Sequence, residues 1–272
     1  VLTSQRKLDP HEIWRTVERE KVMSVSLVGD AMARPLIEAL DEAGAEYDLS
    51  SLFVIGSGGA ILSPAVKAKI VERFPNMLVI DSLGASETGY QGTVAGTDGQ
   101  GRPRFAMGAH TTVLDDDGIP LEPGSGTVGR LARGGYVPLG YYKDPVKTAD
   151  VFVEANGSRW VLPGDMAIVE ADGTITLLGR GSVSINSGGE KIFPEEVESA
   201  LKSHPDVFDV VVVGVPDERW GEHVCAVVKP RTGATPDVES LATHVRSLLA
   251  SYKAPREVFL VDEIVRSPSG KA

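Results

Sequence analysis

Residues 52–89 read LFVIGSGGAILSPAVKAKIVERFPNMLVIDSLGASETG, and this stretch decides the fold. A short apolar run at 52–55 is followed by a glycine-rich loop and by Ser63-Pro64, a typical helix start. A second apolar run at 78–80 leads into another loop rich in Gly and Ser. A strand, a helix and a strand in this order predict a parallel sheet, in which ligands bind at the carboxyl ends of the strands.

The residues before this stretch follow the same alternation. Asp9-Pro10-His11-Glu12 has a capping acid, a proline for the first turn and a glutamate three residues after the cap, so a helix is predicted there. A strand at 22–28 and a helix at 30–40 follow. Three loops are then expected at the carboxyl edge of the sheet: Gly29-Asp30, 56–60 and 82–89. We therefore predict an α/β subdomain over residues 1–107.

The pattern changes after residue 108. Turn signals at Asp115-Asp116-Asp117-Gly118 and Asp172-Gly173 separate alternating runs, which predicts a small β barrel or β layer over 108–180. The three aspartates are interpreted as a solvated turn rather than a cation site. From 181 to 272 a helix from Pro194, strands at 210–213 and 224–228 and a helix at 236–249 predict a separate small α+β domain. The domain boundary is placed at 180–182.

Composition narrows the functional classes. The chain has 272 residues, is 42% hydrophobic and 24% charged, and has a formal net charge of -11, which argues against nucleic acid as a partner. The single cysteine, Cys225, lies in an apolar run and is expected to be buried, which fits a reducing cytoplasm. The five histidines show no metal-ligand spacing, and no apolar run is long enough to be an integral membrane segment.

Several motifs occur in a fixed order along the chain, and together they resemble those of the adenylate-forming superfamily, which contains acyl-CoA synthetases, peptide-synthetase adenylation domains and beetle luciferases. The resemblance spans the whole chain. In chain order the motifs are Gly58-Gly59-Ala60, DSLGASE at 81–87, GTVGRL at 126–131 with Gly140-Tyr141-Tyr142, WVLPGD at 160–165, GRGS at 179–182, Gly188-Gly189, LASYKAP at 249–255 and SGK at 269–271.

The resemblance implies a nucleotide site. Family loops like Gly58-Gly59-Ala60 line the adenine pocket, and the family pattern at 81–87 is aromatic-Gly-x-Thr-Glu. There the aromatic packs on adenine, the threonine contacts phosphate and the glutamate helps to hold Mg2+. The aspartate of the fourth motif accepts hydrogen bonds from the ribose hydroxyls, and the arginine of GRGS contacts ribose or phosphate. The implied nucleotide-binding residues are Gly58, Gly59, Ala60, Asp81, Ser82, Leu83, Gly84, Ser86, Asp165 and Arg180, with Glu87 as the metal-binding and catalytic acid.

Two of these motifs depart from the family pattern. Leu83 stands where the family has an aromatic residue, Ser86 replaces the threonine, and Pro163 replaces the threonine before Gly-Asp. Serine keeps the hydroxyl group, whereas leucine keeps apolar packing but loses aromatic stacking.

The later motifs imply a moving domain. Ser182 occupies the hinge position, which is usually Asp or Lys in the family. Gly188-Gly189 resembles the loop that borders the pantetheine tunnel of CoA. Lys271 aligns with the catalytic lysine that bridges the carboxylate and the α-phosphate during adenylate formation.

The resemblance therefore implies an acid-thiol ligase that uses ATP, Mg2+ and CoA to convert a carboxylic acid into its acyl-CoA. The motifs at 81–87 and 179–182 resemble actinobacterial acyl-CoA ligases that act on fatty acids or steroid side-chain acids. Two alternatives stay open: an acyl-AMP ligase or adenylation domain that loads a carrier protein, and a nucleotide-binding module without turnover. A dinucleotide oxidoreductase is disfavoured, because no Gly-x-Gly-x-x-Gly opens a helix after a strand.

One family motif has no counterpart in the sequence, namely the Thr/Ser/Gly-rich phosphate loop that ends in Gly-x-Pro-Lys. In the family that loop precedes the region where this chain starts. We therefore expect the chain to be the C-terminal half of such an enzyme, with the N-terminal half as its missing partner, and we expect the isolated chain to be inactive.

Overall fold

The computed structural model describes residues 8–42, 46–60, 62–97 and 103–265 of the chain. These residues form two compact units. The first contains the described residues up to Ser82 together with those from Glu263 onward, and the second is Leu83–Asp262. Helices alternate with parallel strands in the first unit, so the α/β class predicted from the sequence is confirmed. Within the described part of the chain, no helix is both long enough and apolar enough to span a bilayer.

The first unit is built on parallel strands. Its elements are α1 (Pro10–Glu20), β1 (Ser24–Leu27), α2 (Gly29–Ala39), β2 (Val54–Gly58), α3 (Pro64–Arg73) and β3 (Leu78–Ala85), the last of which continues into the second unit. β1 pairs with β2, and β2 pairs with β3, in both cases in parallel. The carboxyl ends of these strands therefore lie along a common edge.

Two helices of the first unit begin at the capping residues that the sequence indicates. The side chains of Asp9 and Ser63 each accept a hydrogen bond from the backbone N–H three residues further on, at 3.1 and 3.4 Å. Trp14 of α1 is 1% exposed, and its Nε1 donates to the carbonyl oxygen of Leu36 in α2 at 2.8 Å. The indole therefore contributes apolar burial while its single polar atom is satisfied.

The two strands of residues 52–89 end later than predicted. The sequence prediction ended them at residues 55 and 80 and placed loops at 56–60 and 82–89. In the structure β2 continues to Gly58 and β3 to Ala85, and the parallel register joins Gly56 to Ile80 and Gly58 to Ser82. The pairing satisfies backbone groups that apolar patterning does not reveal, because glycine and serine carry no apolar side chain.

The second unit opens with antiparallel strands. They are β4 (Gly89–Thr97), β5 (Pro103–Met107), β6 (Thr111–Leu114), β7 (Val128–Arg133), β8 (Phe152–Ala155), β9 (Ser158–Val161), β10 (Asp165–Val169) and β11 (Ile175–Arg180), with α4 (Pro145–Val151) before β8. Their order is β4-β5-β11-β10-β7-β9-β8, and β6 pairs with β7. β4 begins at Gly89 and pairs antiparallel with β5 from Gly92 onward, so the antiparallel strands begin upstream of residue 108, where the β-rich part was expected.

A second sheet follows in the same unit. Its elements are β12 (Ile185–Ser187), β13 (Glu190–Ile192), α5 (Pro194–Lys202), β14 (Val207–Asp217), β15 (Gly221–Pro230), α6 (Val238–Leu248) and β16 (Glu257–Leu260). The strand order is β13-β12-β15-β14, and β16 lies parallel to β15. Cys225 lies in β15 and is 2% exposed, which confirms its predicted role as a small buried hydrophobe. A 3₁₀ turn, Gly181–Val183, joins β11 to this sheet.

Candidate functional site

The carboxyl ends of β2 and β3 bring several predicted nucleotide-binding residues together. In the parallel register Gly58 lies opposite Ser82, and Ser57 lies opposite Asp81. A Cβ atom on Gly58 would lie 3.3 Å from the carbonyl oxygen of Ser82, so the backbones approach closely. Gly59-Ala60 follows β2 directly. The first unit therefore places these predicted residues at the edge where parallel sheets bind ligands.

Asp81 has an unusual environment within this edge. The residue is 7% exposed, and this burial raises the pKa of its carboxyl group to about 6. The Lys67 ammonium opposes the rise, and the Asp30 carboxylate adds to it. Near neutral pH a fraction of the Asp81 carboxyl groups therefore carries a proton and can donate a hydrogen bond as well as accept one.

Asp30 stabilises the carboxyl edge of the parallel strands, although the sequence indicated it only as part of a loop. It is 4% exposed, and its Oδ1 accepts a hydrogen bond from the Ser63 N–H at 2.7 Å. Its Oδ2 lies 3.8 Å from Nη2 of Arg34. The Gly29 N–H donates to the Ser57 hydroxyl at 3.2 Å. Gly29 and Asp30, predicted to be a loop, form the first turn of α2, and these bonds fix that turn to Ser57 and Ser63 on either side of the predicted adenine loop.

Two residues of the motif at 81–87 have structural roles that the sequence did not indicate. Leu83 is 8% exposed and belongs to the buried apolar cluster that contains Phe105 and Ile175, so its side chain packs in the core whether or not it also meets a base. A Cβ atom on Gly84 would collide with the carbonyl oxygen of Gly89, so close backbone approach requires a glycine there. Ser86 is exposed.

Glu87 is paired with a residue that sequence reasoning assigned only to a structural motif. The Tyr141 hydroxyl donates to Oε1 of Glu87 at 2.7 Å. This hydrogen bond is the main cause of a lowered pKa for the Glu87 carboxyl, and the positive charges of Lys147 and Arg180 act in the same direction. Burial, together with the bond to Glu87, raises the pKa of Tyr141 to about 12. Glu87 is therefore an ionised carboxylate over the physiological pH range.

Asp165 and Arg180 face each other across β10 and β11. They are direct partners in the antiparallel register, and Nε of Arg180 lies 3.8 Å from Oδ1 of Asp165. The Arg180 side chain is 52% exposed and the Asp165 side chain 17% exposed. The structure thus brings two predicted nucleotide-binding groups together. The Asp165 carboxylate is predicted to bind ribose, and the Arg180 guanidinium is predicted to bind ribose or phosphate. The Arg180 N–H also donates to Oε1 of Glu195 in the first turn of α5, at 3.3 Å.

Gly188-Gly189 forms a tight turn rather than an open loop. Ser187 pairs with Glu190 across it, and both glycines have positive φ, +62° and +90°, as the favoured two-residue hairpin turns require. The Gly188 N–H donates to the carbonyl oxygen of Trp220 at 2.8 Å. Sequence reasoning missed Trp220, whose only sequence signal was an aromatic residue beside an arginine.

Two guanidinium groups lie over the Trp220 ring. The guanidinium carbons of Arg219 and Arg256 are 4.7 and 5.0 Å from the ring centroid. Beside the glycine turn, the second unit therefore holds two guanidinium groups against an aromatic ring, and such groups are suited to binding phosphate.

Three further sequence predictions concern Ser182, Lys271 and the acidic turn. Ser182 is exposed and lies in the 3₁₀ turn that follows Arg180. Lys271 lies outside the described residues. Oδ1 of Asp115 accepts hydrogen bonds from the N–H groups of Asp117 and Ile119, so this segment is the predicted turn. Among the described residues no group of three or more His, Cys, Asp or Glu side chains could hold a metal ion by itself.

Curated relatives match almost all of the chain. It is 55% identical over 271 residues to the medium/long-chain-fatty-acid-CoA/3-oxocholest-4-en-26-oate-CoA ligase of Mycolicibacterium smegmatis, with 97% of this chain and 49% of the relative covered. It is 54% identical to the 3-oxocholest-4-en-26-oate-CoA ligase of Rhodococcus rhodochrous, with 96% and 48% covered. The chain thus spans about half the length of these curated relatives.

Solved structures show the same fold. The amide bond synthetase McbA from Marinactinospora thermotolerans superimposes with a TM-score of 0.79 at 31% identity, over 97% of this chain and 54% of that one. ATP-bound MatB from Rhodopseudomonas palustris superimposes with a TM-score of 0.75 at 26% identity, over 96% and 50%.

Two family models match the sequence. The model of the AMP-binding enzyme C-terminal domain matches residues 196–271, and the model of the AMP-binding enzyme family matches residues 1–142, more than half of the 272 residues. The chain therefore belongs to the AMP-binding enzyme family.

Proposed function

We propose that the whole protein activates a carboxylic acid with ATP and transfers the acyl group to CoA, giving acyl-CoA, AMP and pyrophosphate. The observation that carries this proposal is the 55% identity, over 97% of the chain, to a fatty-acid and steroid-acid CoA ligase. The proposed substrates are fatty acids or acids with a steroid side chain. The reaction has two steps, formation of the acyl adenylate and transfer of the acyl group to CoA. The geometry of the described residues supports the assignment of different side chains to each step.

The first step joins two anions, the carboxylate and the triphosphate, so cations must offset their repulsion. We assign Mg2+ to Glu87, which the lowered pKa of its carboxyl keeps ionised. Mg2+ is commonly bound by one or two carboxylates together with substrate phosphates, which fits a single acid better than a complete protein cage. We assign Lys271 to the oxygen atoms shared between the carboxylate and the α-phosphate, and the hydroxyl of Ser86 to a phosphate.

The adenine base is proposed to bind at the carboxyl edge of the parallel strands. The residues assigned to it are Gly58, Gly59, Ala60, Asp81, Ser82 and Leu83. Gly84 supplies the close backbone approach that follows them in β3. Leu83 can offer the base only apolar packing, because it has no aromatic ring to stack.

The ribose and phosphates are proposed to bind to the pair at the ends of β10 and β11. The Asp165 carboxylate offers two acceptor oxygens to the two ribose hydroxyls. Its 3.8 Å distance from Arg180 supports a joint role, since the guanidinium can turn toward a phosphate while the carboxylate holds the diol.

The second step requires a surface for CoA. We assign the pantetheine arm to the Gly188-Gly189 turn and the nucleotide portion of CoA to Trp220 with Arg219 and Arg256. The hydrogen bond from Gly188 to Trp220 supports this, because it makes the turn and the ring parts of one local structure. We assign the pivot between the two steps to Ser182, at the proposed boundary between domains 1–180 and 181–272.

The test asks which acyl acceptor the protein uses, and it requires a protein as long as the curated relatives. The protein is incubated with ATP, Mg2+ and a panel of fatty and steroid acids, either with CoA or with an acyl carrier protein, and the products are identified by mass spectrometry. Acyl-CoA formation supports the proposal. Acyl transfer to the carrier protein alone would replace it with a carrier-loading ligase. Nucleotide binding without either product would replace it with a non-catalytic module. A cytoplasmic location stays a prediction from the single cysteine.

A further inference from the structure

The Glu195 carboxylate lies near the Asp165–Arg180 pair, and its two oxygens differ in their hydrogen bonding. Its Oε1 accepts the 3.3 Å hydrogen bond from the Arg180 N–H. Its Oε2 is buried and makes no hydrogen bond among the described residues. A buried acceptor without a donor costs roughly 1–3 kcal/mol, and more if it is charged, so such a group calls for an explanation.

The Glu195 carboxylate packs against Gly179, near the end of β11. A Cβ atom on Gly179 would overlap Oε2 of Glu195 where it now lies, and the φ of Gly179, +134°, is one that other residues rarely adopt, so a glycine suits this position at the end of β11. Glu195 lies in the first turn of α5, where an acid is also favoured by the helix dipole. The contact therefore joins the start of α5 to the last residues before the 3₁₀ turn at 181–183.

We propose that Glu195 is a positioning residue that latches α5 onto the backbone of Arg180 and so links docking of the small domain to the nucleotide pair Asp165–Arg180. This proposal rests on the proposed two-step function and names a control element within it. While the latch is closed, the Arg180 backbone is fixed at the end of β11. Rotation about the Ser182 region requires the bond between the Arg180 N–H and Glu195 to break.

The proposed latch depends on pH because the Glu195 carboxyl can gain or lose a proton. Burial raises the pKa of the Glu195 carboxyl, and the hydrogen bonds from the backbone N–H groups of Glu195 and Arg180 oppose the rise without cancelling it. The Asp165 carboxylate from β10 adds to the rise, and the Arg180 guanidinium from β11 opposes it. A raised pKa in the latched state means that this state binds the proton more tightly than the open state does. Latching is therefore strongest below the ordinary glutamate range. It weakens as the pH rises through that range and becomes constant above the raised pKa.

The test is amide hydrogen exchange at Arg180, which needs neither ATP nor turnover and so separates failure of the latch from failure of the proposed function. The Gly181 N–H donates to the carbonyl oxygen of Gly164 at 2.9 Å and serves as an internal reference that does not bond to α5. In Glu195→Ala the protection of Arg180 should fall about tenfold or more, the loss expected for one hydrogen bond to a charged acceptor. Protection of Gly181 should stay unchanged.

Glu195→Gln keeps the size of the side chain and an acceptor oxygen but cannot ionise. In the wild-type chain Arg180 protection, corrected for intrinsic exchange, should fall as the pH rises from the ordinary glutamate range. In Glu195→Gln this pH dependence should disappear, whereas in the exposed control Glu218→Gln it should remain. Unchanged Arg180 protection in a folded Glu195→Ala chain would overturn the latch. So would a pH dependence in Glu195→Gln equal to that of wild type, a result that remains decisive if the alanine variant unfolds.

Discussion

The Tyr141 hydroxyl donates a 2.7 Å hydrogen bond to Glu87, which lies 54 residues earlier in the chain. The ring of Tyr141 is itself held in place: Phe152 meets it edge-on with centroids 5.7 Å apart, and Nζ of Lys147 lies 4.3 Å from its centroid. The bond fixes one oxygen of the proposed magnesium ligand and stabilises its ionised form. A residue from a motif that resembles a structural element of the family thus supports the proposed metal site.

Replacing Tyr141 by phenylalanine should raise the pKa of the Glu87 carboxyl toward its ordinary value of 4.5, because the donor that stabilises the anion is lost. A lowered pKa in the folded state adds stability above the ordinary pKa, and that stability is lost as the pH falls through the lowered value. Wild type should therefore exceed Tyr141→Phe in free energy of unfolding at neutral pH, and the difference should shrink in acid.

The measurement for Tyr141→Phe is a carboxyl NMR titration of Glu87 combined with urea unfolding at several pH values. Tyr142→Phe is the matched control, since Tyr142 is 88% exposed and its hydroxyl lies outside this bond. An unchanged Glu87 titration in Tyr141→Phe would contradict the assigned cause of the shift.

Asp165→Ala should weaken ATP binding by about tenfold or more, because hydrogen bonds to a charged acceptor are worth roughly 1.5–3 kcal/mol. Calorimetric titration of ATP into the protein at its relatives' length checks this, with Asp116→Ala in the exposed acidic turn as the control. Unchanged ATP affinity accompanied by a lower melting temperature would show that Asp165 only stabilises the end of β10.

Local signals allowed the sequence to predict several elements closely. The start of α3 is an example, because Ser63 caps the helix through a bond to a backbone group only three residues away. The extensions of β2 to Gly58 and β3 to Ala85 were not predicted, since they depend on pairing with a neighbouring strand rather than on apolar patterning. Because paired strands can lie far apart in the chain, the local sequence does not indicate where their pairing ends.

Contacts between residues that are distant in the chain also explain which site residues the sequence could not predict. Glu87, Asp165 and Arg180 stand in motifs that read as short sequence patterns. Trp220 and Glu195 do not, because their importance comes from contacts with Gly188 and Arg180, which only the folded chain brings near.

Leu83 shows a further limit of motif reading. Its position in the motif indicates a ligand contact, whereas its place in the buried cluster with Phe105 depends on strands that the motif does not describe. The motif alone therefore could not reveal that the core constrains this side chain.

Trp220→Ala should raise the CoA concentration needed for the second step by about tenfold, because the ring holds the two guanidinium groups that are proposed to bind CoA phosphates, and hydrogen bonds to charged groups are worth roughly 1.5–3 kcal/mol. Adenylate formation should keep its rate. Tyr136→Ala, at an exposed aromatic residue elsewhere in the second unit, is the control. Steady-state kinetics with CoA as the varied substrate measure the effect, and an equal change in both steps would remove Trp220 from the CoA surface.

Lys271→Ala should slow adenylate formation while sparing thioester formation from a supplied acyl adenylate, because the ammonium offsets charge only when the two anions meet. Single-turnover measurements of each half-reaction separate the two effects. The matched control is Ser269→Ala, which changes an uncharged neighbour in the same motif and leaves the ammonium in place. Equal losses in both half-reactions of Lys271→Ala would contradict the assignment.

The fate of the carboxylate oxygen tests the proposed reaction most directly. A fatty acid labelled with ¹⁸O in both carboxylate positions is converted by the full-length protein with ATP, Mg2+ and CoA, and the phosphorus products are analysed by mass spectrometry. If the carboxylate attacks the α-phosphorus, one labelled oxygen leaves with AMP when CoA displaces it, and pyrophosphate stays unlabelled. Label in inorganic phosphate together with ADP as the product, or AMP without label, would contradict activation through an acyl adenylate.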